Sequence, residues 1–161
     1  MDALDFLDRF SLLTRRLRSR MRIGELSRRP LEILRMEMLT NARQVSCDWL
    51  IRPIDPWDET MPESTRAKLQ SQQVLHDALA MRGVIFRRFP AIQTIELRAF
   101  RDGSRGVHEL VLAGSMRRGD EVPTSIPSLA MRAHLSGFQF VQVDGVLNAL
   151  PYEGLRYSHK R

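Results

Sequence analysis

Between Asp2 and Arg22 apolar residues recur at Ala3, Phe6, Leu7, Phe10, Leu13, Leu17 and Met21. Steps of three and four put these positions on one stripe of a helix. Asp2, Asp5 and Asp8 open the segment and arginines close it, the order that complements a helix dipole. Gly24 and Pro30 then interrupt the periodicity and mark a connection.

The period changes to two in the next stretch. Residues 31–39 and 44–52 predict two strands, the second alternating Val45, Cys47, Trp49 and Ile51 against Ser46, Asp48 and Arg52. The residues between them, 40–43, are few enough for a hairpin loop. Prolines and acids crowd residues 53–62, which predicts an irregular loop. Thr60 stands three residues before Glu63, with Pro62 between them, in the form of a capping box. The helix it would open carries Ala67, Val74, Leu75, Ala78, Leu79, Ile85 and Phe86 on one face, runs to near Arg88, and is closed by Phe89 and Pro90.

A second hairpin is predicted from residues 92–100 and 106–114, with Asp102-Gly103 as its turn signal. A loop, a short helix capped by Ser128, a fifth strand over 138–147 and a tail complete the chain. The order hairpin, loop, helix thus occurs twice, over 31–88 and 92–136, but the residues within the two units do not match as a duplication would. The pattern predicts a single α+β domain: a mainly antiparallel sheet of about five strands, two hairpins plus one strand, packed by a long central helix, with an N-terminal amphipathic helical arm. It divides the chain into an arginine-rich arm and connection (1–30), the α+β domain (31–150) and a C-terminal tail (151–161).

A length of 161 residues suits one domain, and 43% hydrophobic with 27% charged residues is a globular composition. The formal net charge is +6, and its placement is more telling than its size. Arg15, Arg16, Arg18, Arg20, Arg22, Arg28 and Arg29 face only Glu25 within that stretch, so the rest of the chain is neutral. All but two of the 25 basic residues are arginine, Lys68 and Lys160 being the exceptions. Arginine suits phosphate and carboxylate recognition, although a GC-rich, bacterial-like codon usage yields the same bias.

Cys47 is the lone cysteine, so neither an intramolecular disulfide nor a cysteine-based zinc site is available, and a reducing cytoplasm is expected. The acidic start does not read as a secretory signal, and no apolar run approaches the roughly 18 residues of a membrane span. His76, His108, His134 and His159 stand at no metal-ligand spacing, and no phosphate-binding glycine loop or Gly-x-Ser-x-Gly element occurs. The alternation around Cys47 predicts a buried thiol. Asp48, Asp55, Asp58 and Glu59 gather around Trp49 and Trp57. Paired carboxylates beside an apolar wall could support acid–base hydrolysis, whereas Asp and Pro also simply fill turns and Asp58 and Glu59 suit a helix start.

The residues favour a non-enzymatic interaction or structural subunit. The apolar stripe of Phe6, Phe10, Leu13, Leu17 and Met21 would dock in cis, on a protein partner or on a second copy, with the arginines on its rim. The alternative is a nucleic-acid-binding accessory protein that places Arg15 to Arg29 on phosphates, although no aromatic between Phe10 and Trp49 is present to stack on bases. A hydrolase built on the Asp48 to Glu59 loop is the third reading. Asp2, Asp5 and Asp8 disfavour an anionic membrane surface. No cofactor, metal or small-molecule ligand is evident.

Overall fold

The computed structural model describes residues 31–151, apart from residues 40, 42, 55, 104, 105 and 122 and the side chain of Trp57. Seven strands and two α-helices fall in that span: β1 (Glu32–Leu39), β2 (Gln44–Leu50), α1 (Glu63–Arg88), β3 (Thr94–Asp102), β4 (His108–Arg117), α2 (Leu129–Leu135), β5 (Phe138–Gln139), β6 (Val141–Val143) and β7 (Val146–Asn148). The first five strands form one sheet in the order β1-β2-β3-β4-β5, and β6 pairs with β7 separately. The N-terminal helix predicted from the sequence and the C-terminal tail beyond Pro151 lie outside the described residues.

The sheet is mixed. β1–β2, β3–β4 and β4–β5 run antiparallel, while β2 and β3 run parallel, with Val45 beside Ile95, Cys47 beside Leu97 and Trp49 beside Ala99. The parallel pair corrects the mainly antiparallel expectation in part, and its cause is the length of α1. A helix of 26 residues carries the chain back along one face of the sheet, so β3 enters in the same direction as β2. Two hairpins therefore lie side by side, each led or followed by its partner strand on the outside.

Alternation decides which face is which. Val45, Cys47 and Trp49 of β2, Ile95, Leu97 and Ala99 of β3, and Leu112 and Met116 of β4 are buried in one cluster with Val74, Leu75, Ala78, Met81 and Ile85 of α1. α2 joins the same cluster through Ala133 and touches α1, so both helices cover one side of the sheet. The opposite side of β1 to β3 carries Glu37, Ser46, Glu96, Arg35, Asp48 and Arg98, set side by side by the strand register.

Helix α1 starts later than the capping box implies. Its N-cap is Pro62, with no side-chain cap bond, and the Pro62 carbonyl accepts from the backbone N–H groups of Thr65 and Arg66 at 3.0 and 3.1 Å. Pro62 has fixed φ and no N–H to lose, which suits it to a helix entrance and displaces Thr60 from that role. The other end of α1 is held by a side chain. Pro90 has no N–H to offer the Phe86 carbonyl, and Arg118 supplies the donor instead, at 2.9 Å from Nη1.

The predicted fifth strand over 138–147 is three short strands. Phe140 ends the pairing with β4, and Asp144 (φ 52°) and Gly145 (φ 84°) turn β6 onto β7. Two consecutive positive φ values define the tight turn that Asp-Gly favours. Ser128 caps α2 as expected, accepting from the Met131 N–H at 3.3 Å. No helix among the described residues is long and apolar enough to cross a membrane.

Candidate functional site

The chemistry-bearing residues singled out in the domain are placed by β2 and the turn after it. Cys47 faces the helix-covered core and is fully buried. Burial, with the charge of neighbouring Asp48 second, pushes its thiol up to about 12, so it stays protonated and unreactive at neutral pH. Asp48 points the other way. Its carboxylate is gripped by Arg98, Nε to Oδ1 at 2.7 Å and Nη2 to Oδ2 at 3.1 Å, with Arg35 Nε 3.9 Å from Oδ2. Two parallel N–H···O bonds from one guanidinium fix the carboxylate in place. Ser46 beside it donates to Glu96 Oε2 at 3.1 Å.

Asp58 and Glu59 sit at and after a short 3-10 turn (Pro56–Asp58), half-buried and exposed respectively, while Asp55 and the Trp57 side chain lie outside the described residues. The described part of the predicted acidic loop is therefore split between an ion pair inside β2 and a surface turn. Among the described residues no group of three or more His, Cys, Asp or Glu side chains could hold a metal ion.

A second buried ion pair goes beyond the residues singled out from the sequence. Arg52 Nη2 donates to Asp77 Oδ1 at 2.7 Å, both side chains being 1% exposed, and Gln73 Nε2 donates to the same oxygen at 2.7 Å. Burial is the larger influence on Asp77 and raises its pKa to about 6, against the lowering by Arg52 and Gln73. Gln70 Nε2 reaches the Arg52 carbonyl at 2.9 Å, so the chain leaving β2 is tied twice to α1. The sequence signal was present: Gln73 and Asp77, four apart, fall on one side of a helix whose apolar residues occupy the same face.

The histidines are dispersed. His76 is exposed on α1, its pKa lowered first by partial burial and then by Arg132. His108 Nδ1 is 3.1 Å from Asp102 Oδ1 at the turn end of the β3–β4 hairpin. His134 stacks on Phe140 with centroids 3.9 Å apart. A crevice between α1 and the sheet, walled by Ile51, Ala67, Ser71, Val74, Val111 and Leu147, has a volume of about 30 Å³, room for one water. Its one hydroxyl is occupied, since Ser71 Oγ donates to the Ala67 carbonyl at 2.8 Å and accepts from the Leu147 N–H at 2.9 Å.

The feature that sequence reasoning passed over lies on the sheet side away from the helices. Trp49 and Ala99 point into the core, so Leu50 and Phe100, paired with each other one residue later, point out, and Leu110 pairs with Phe100 on the same face. Phe100 and Leu110 are each only 6% exposed, yet neither joins the core cluster. A visible clue existed: Phe100 breaks the alternation by following Ala99 directly. The arginines Arg15, Arg16, Arg18, Arg20, Arg22, Arg28 and Arg29 and the stripe from Phe6 to Met21 lie outside the described residues. Comparison with family models, curated proteins and solved structures returns no match to this chain.

Proposed function

We propose that this chain is a non-enzymatic interaction subunit, working in a reducing cytoplasm, that engages a protein partner or a second copy through the amphipathic segment of residues 1–30. The observation that carries the reading is the segregation of charge and grease. The +6 excess falls wholly between Arg15 and Arg29, beside an apolar stripe, while the remainder is neutral. Support comes from how the domain spends its reactive groups: Cys47 is a buried neutral thiol, Asp48 is locked by Arg98, and Asp77 is committed to Arg52. Each would have to be dismantled before it could serve in catalysis, which leaves the acidic-loop hydrolase with less support. Deleting residues 1–22 and measuring mass by light scattering tests the proposal. An assembled state lost while the circular dichroism of the domain persists agrees with it; assembly and solubility unchanged by the deletion refute it.

Nucleic-acid binding is the second reading, favoured by the same arginines. Phosphate contacts make affinity fall steeply with salt. Replacing Arg15, Arg18 and Arg22 by glutamate should abolish salt-sensitive retention on heparin or RNA; retention that survives those substitutions removes this reading.

A further inference from the structure

The geometry points to the helix-free face of the sheet, around Phe100 and Leu110, as the seat on which the chain's own N-terminal segment docks when no partner holds it; the inference rests on reading residues 1–30 as a docking element. Both described helices contribute to the core on the other face, through Ala78, Met81 and Ala133. Phe100 lies on the middle strand, toward the end where the β2 ladder stops at Leu50, and an aromatic ring on an open sheet face keeps far more than 6% of its surface in water unless something lies over it, because flanking strands shield only its sides. The β6–β7 hairpin packs on the α1 side, where Leu147 meets Ser71, and so does not provide the cover. A sheet with buried apolar residues on both faces needs a layer on both.

Reach, polarity and charge single out the segment before β1. It enters the domain at Leu31, next to the edge strand of this same sheet. A helix over residues 3–21 would be about 28 Å long, comparable with strands of eight to ten residues such as β1 and β4. The nine residues 22–30 extend up to about 30 Å, enough to turn such a helix back over the sheet. Its stripe of Phe6, Phe10, Leu13 and Leu17 offers the apolar layer that Phe100, Leu110 and Leu50 call for. On the outer face of β1 to β3 the acids Glu32, Glu37, Asp48 and Glu96 outnumber the arginines Arg35 and Arg98, which complements arginines framing a stripe. The tail from residue 152 is the competitor, since Leu150 donates to the Leu110 carbonyl at 2.7 Å and so brings the chain's end to the margin of the same patch. It holds ten residues, with Tyr152, Leu155 and Tyr157 as its side chains of apolar body, fewer than the stripe from Phe6 to Met21 supplies.

Limited trypsin digestion of the full chain tests this, because the segment is its own ladder of cleavage sites. Cleavage after Arg15 to Arg22 is expected to be slower by about tenfold or more than in a synthetic peptide of residues 1–30, and independent of protein concentration. Phe100→Asp should restore the peptide-like rate. The double substitution Leu13→Asp with Leu17→Asp should do the same from the other side of the contact, without touching the sheet. A segment cut as fast as the peptide overturns the inference while leaving docking on a partner standing. Protection that vanishes on dilution assigns the seat to a second copy's segment, and a shielded Arg156 beside an open Arg15 assigns it to the tail; either result also overturns it. Assembly that survives deletion of residues 1–22 defeats the proposed function but not the seat.

Discussion

Replacing Arg118 by alanine should uncap the C-terminus of α1. Its guanidinium donates to three carbonyls around the helix end, Phe86 at 2.9 Å, Phe89 at 2.6 Å and Ile92 at 2.8 Å, and its carbon lies 4.9 Å from the Phe86 ring centre. Hydrogen bonds to a charged group contribute about 1.5–3 kcal/mol each when buried. These are only part-buried, and water can replace some of them, so the sum overstates the loss. A net cost of about 3 kcal/mol is expected, including the favourable placement of a cation at a helix C-terminus. With a urea slope of about 2 kcal/mol/M the midpoint should fall by about 1.5 M. Lysine keeps the charge but offers no planar fork, so Arg118→Lys should recover about 1 kcal/mol and no more. Amide exchange across Val84 to Phe89 should quicken in both variants ahead of the sheet. A midpoint for Arg118→Ala within about 0.25 M of the parent, or full rescue by lysine, would refute the capping account.

Two further substitutions probe the interior. Asp77 holds its proton up to about pH 6 in the fold but releases it near its ordinary 3.8 when unfolded. Between those values the folded state binds more protons, so this group's contribution declines as pH rises through the window and is level above it. Asparagine does not titrate. The stability gap between the parent and Asp77→Asn should therefore narrow, by at most about 3 kcal/mol, as urea titrations move from about pH 4 to pH 7. A gap that widens instead would show that the charge on Asp77 gains more from Arg52 than burial takes away. Gly114→Ala is expected to cost about 1–3 kcal/mol by overpacking: the new methyl would lie 2.7 Å from Phe138 Cδ1 and 2.9 Å from the Gly137 carbonyl oxygen. A thermal midpoint equal to the parent's would mean that the two-residue β5 is free to retreat.

Local chemistry accounts for what could be read from the chain alone. Strands β1 and β2 stand within two residues of their predicted bounds because alternation is a backbone-level property: successive side chains point to opposite faces whatever lies beyond. Helix α1 was legible for the same reason, at the period of 3.6, and the burial of Cys47 followed from its phase within β2. The start of α1 was misread because Thr60 and Glu63 satisfy a local motif that Pro62 pre-empts. The Asp144-Gly145 turn was overlooked because the apolar run from Phe138 to Leu147 resembles one buried strand.

What the tertiary structure alone decided are the contacts between residues far apart in the chain. Asp48 meets Arg98 across 50 positions and Arg118 meets Phe86 across 32; no period within either segment encodes the other. The parallel pairing of β2 and β3 is of the same kind, set by α1 carrying the chain back along the sheet before β3 enters beside β2. So is the double-sidedness of the sheet, since a single phenylalanine out of phase acquires meaning only when its neighbours in space prove to be Leu50 and Leu110. Sequence determines which side chains point together along one element, because that is geometry over a few bonds. Which elements then meet is settled by the collective burial of their apolar faces, which no short window of residues contains.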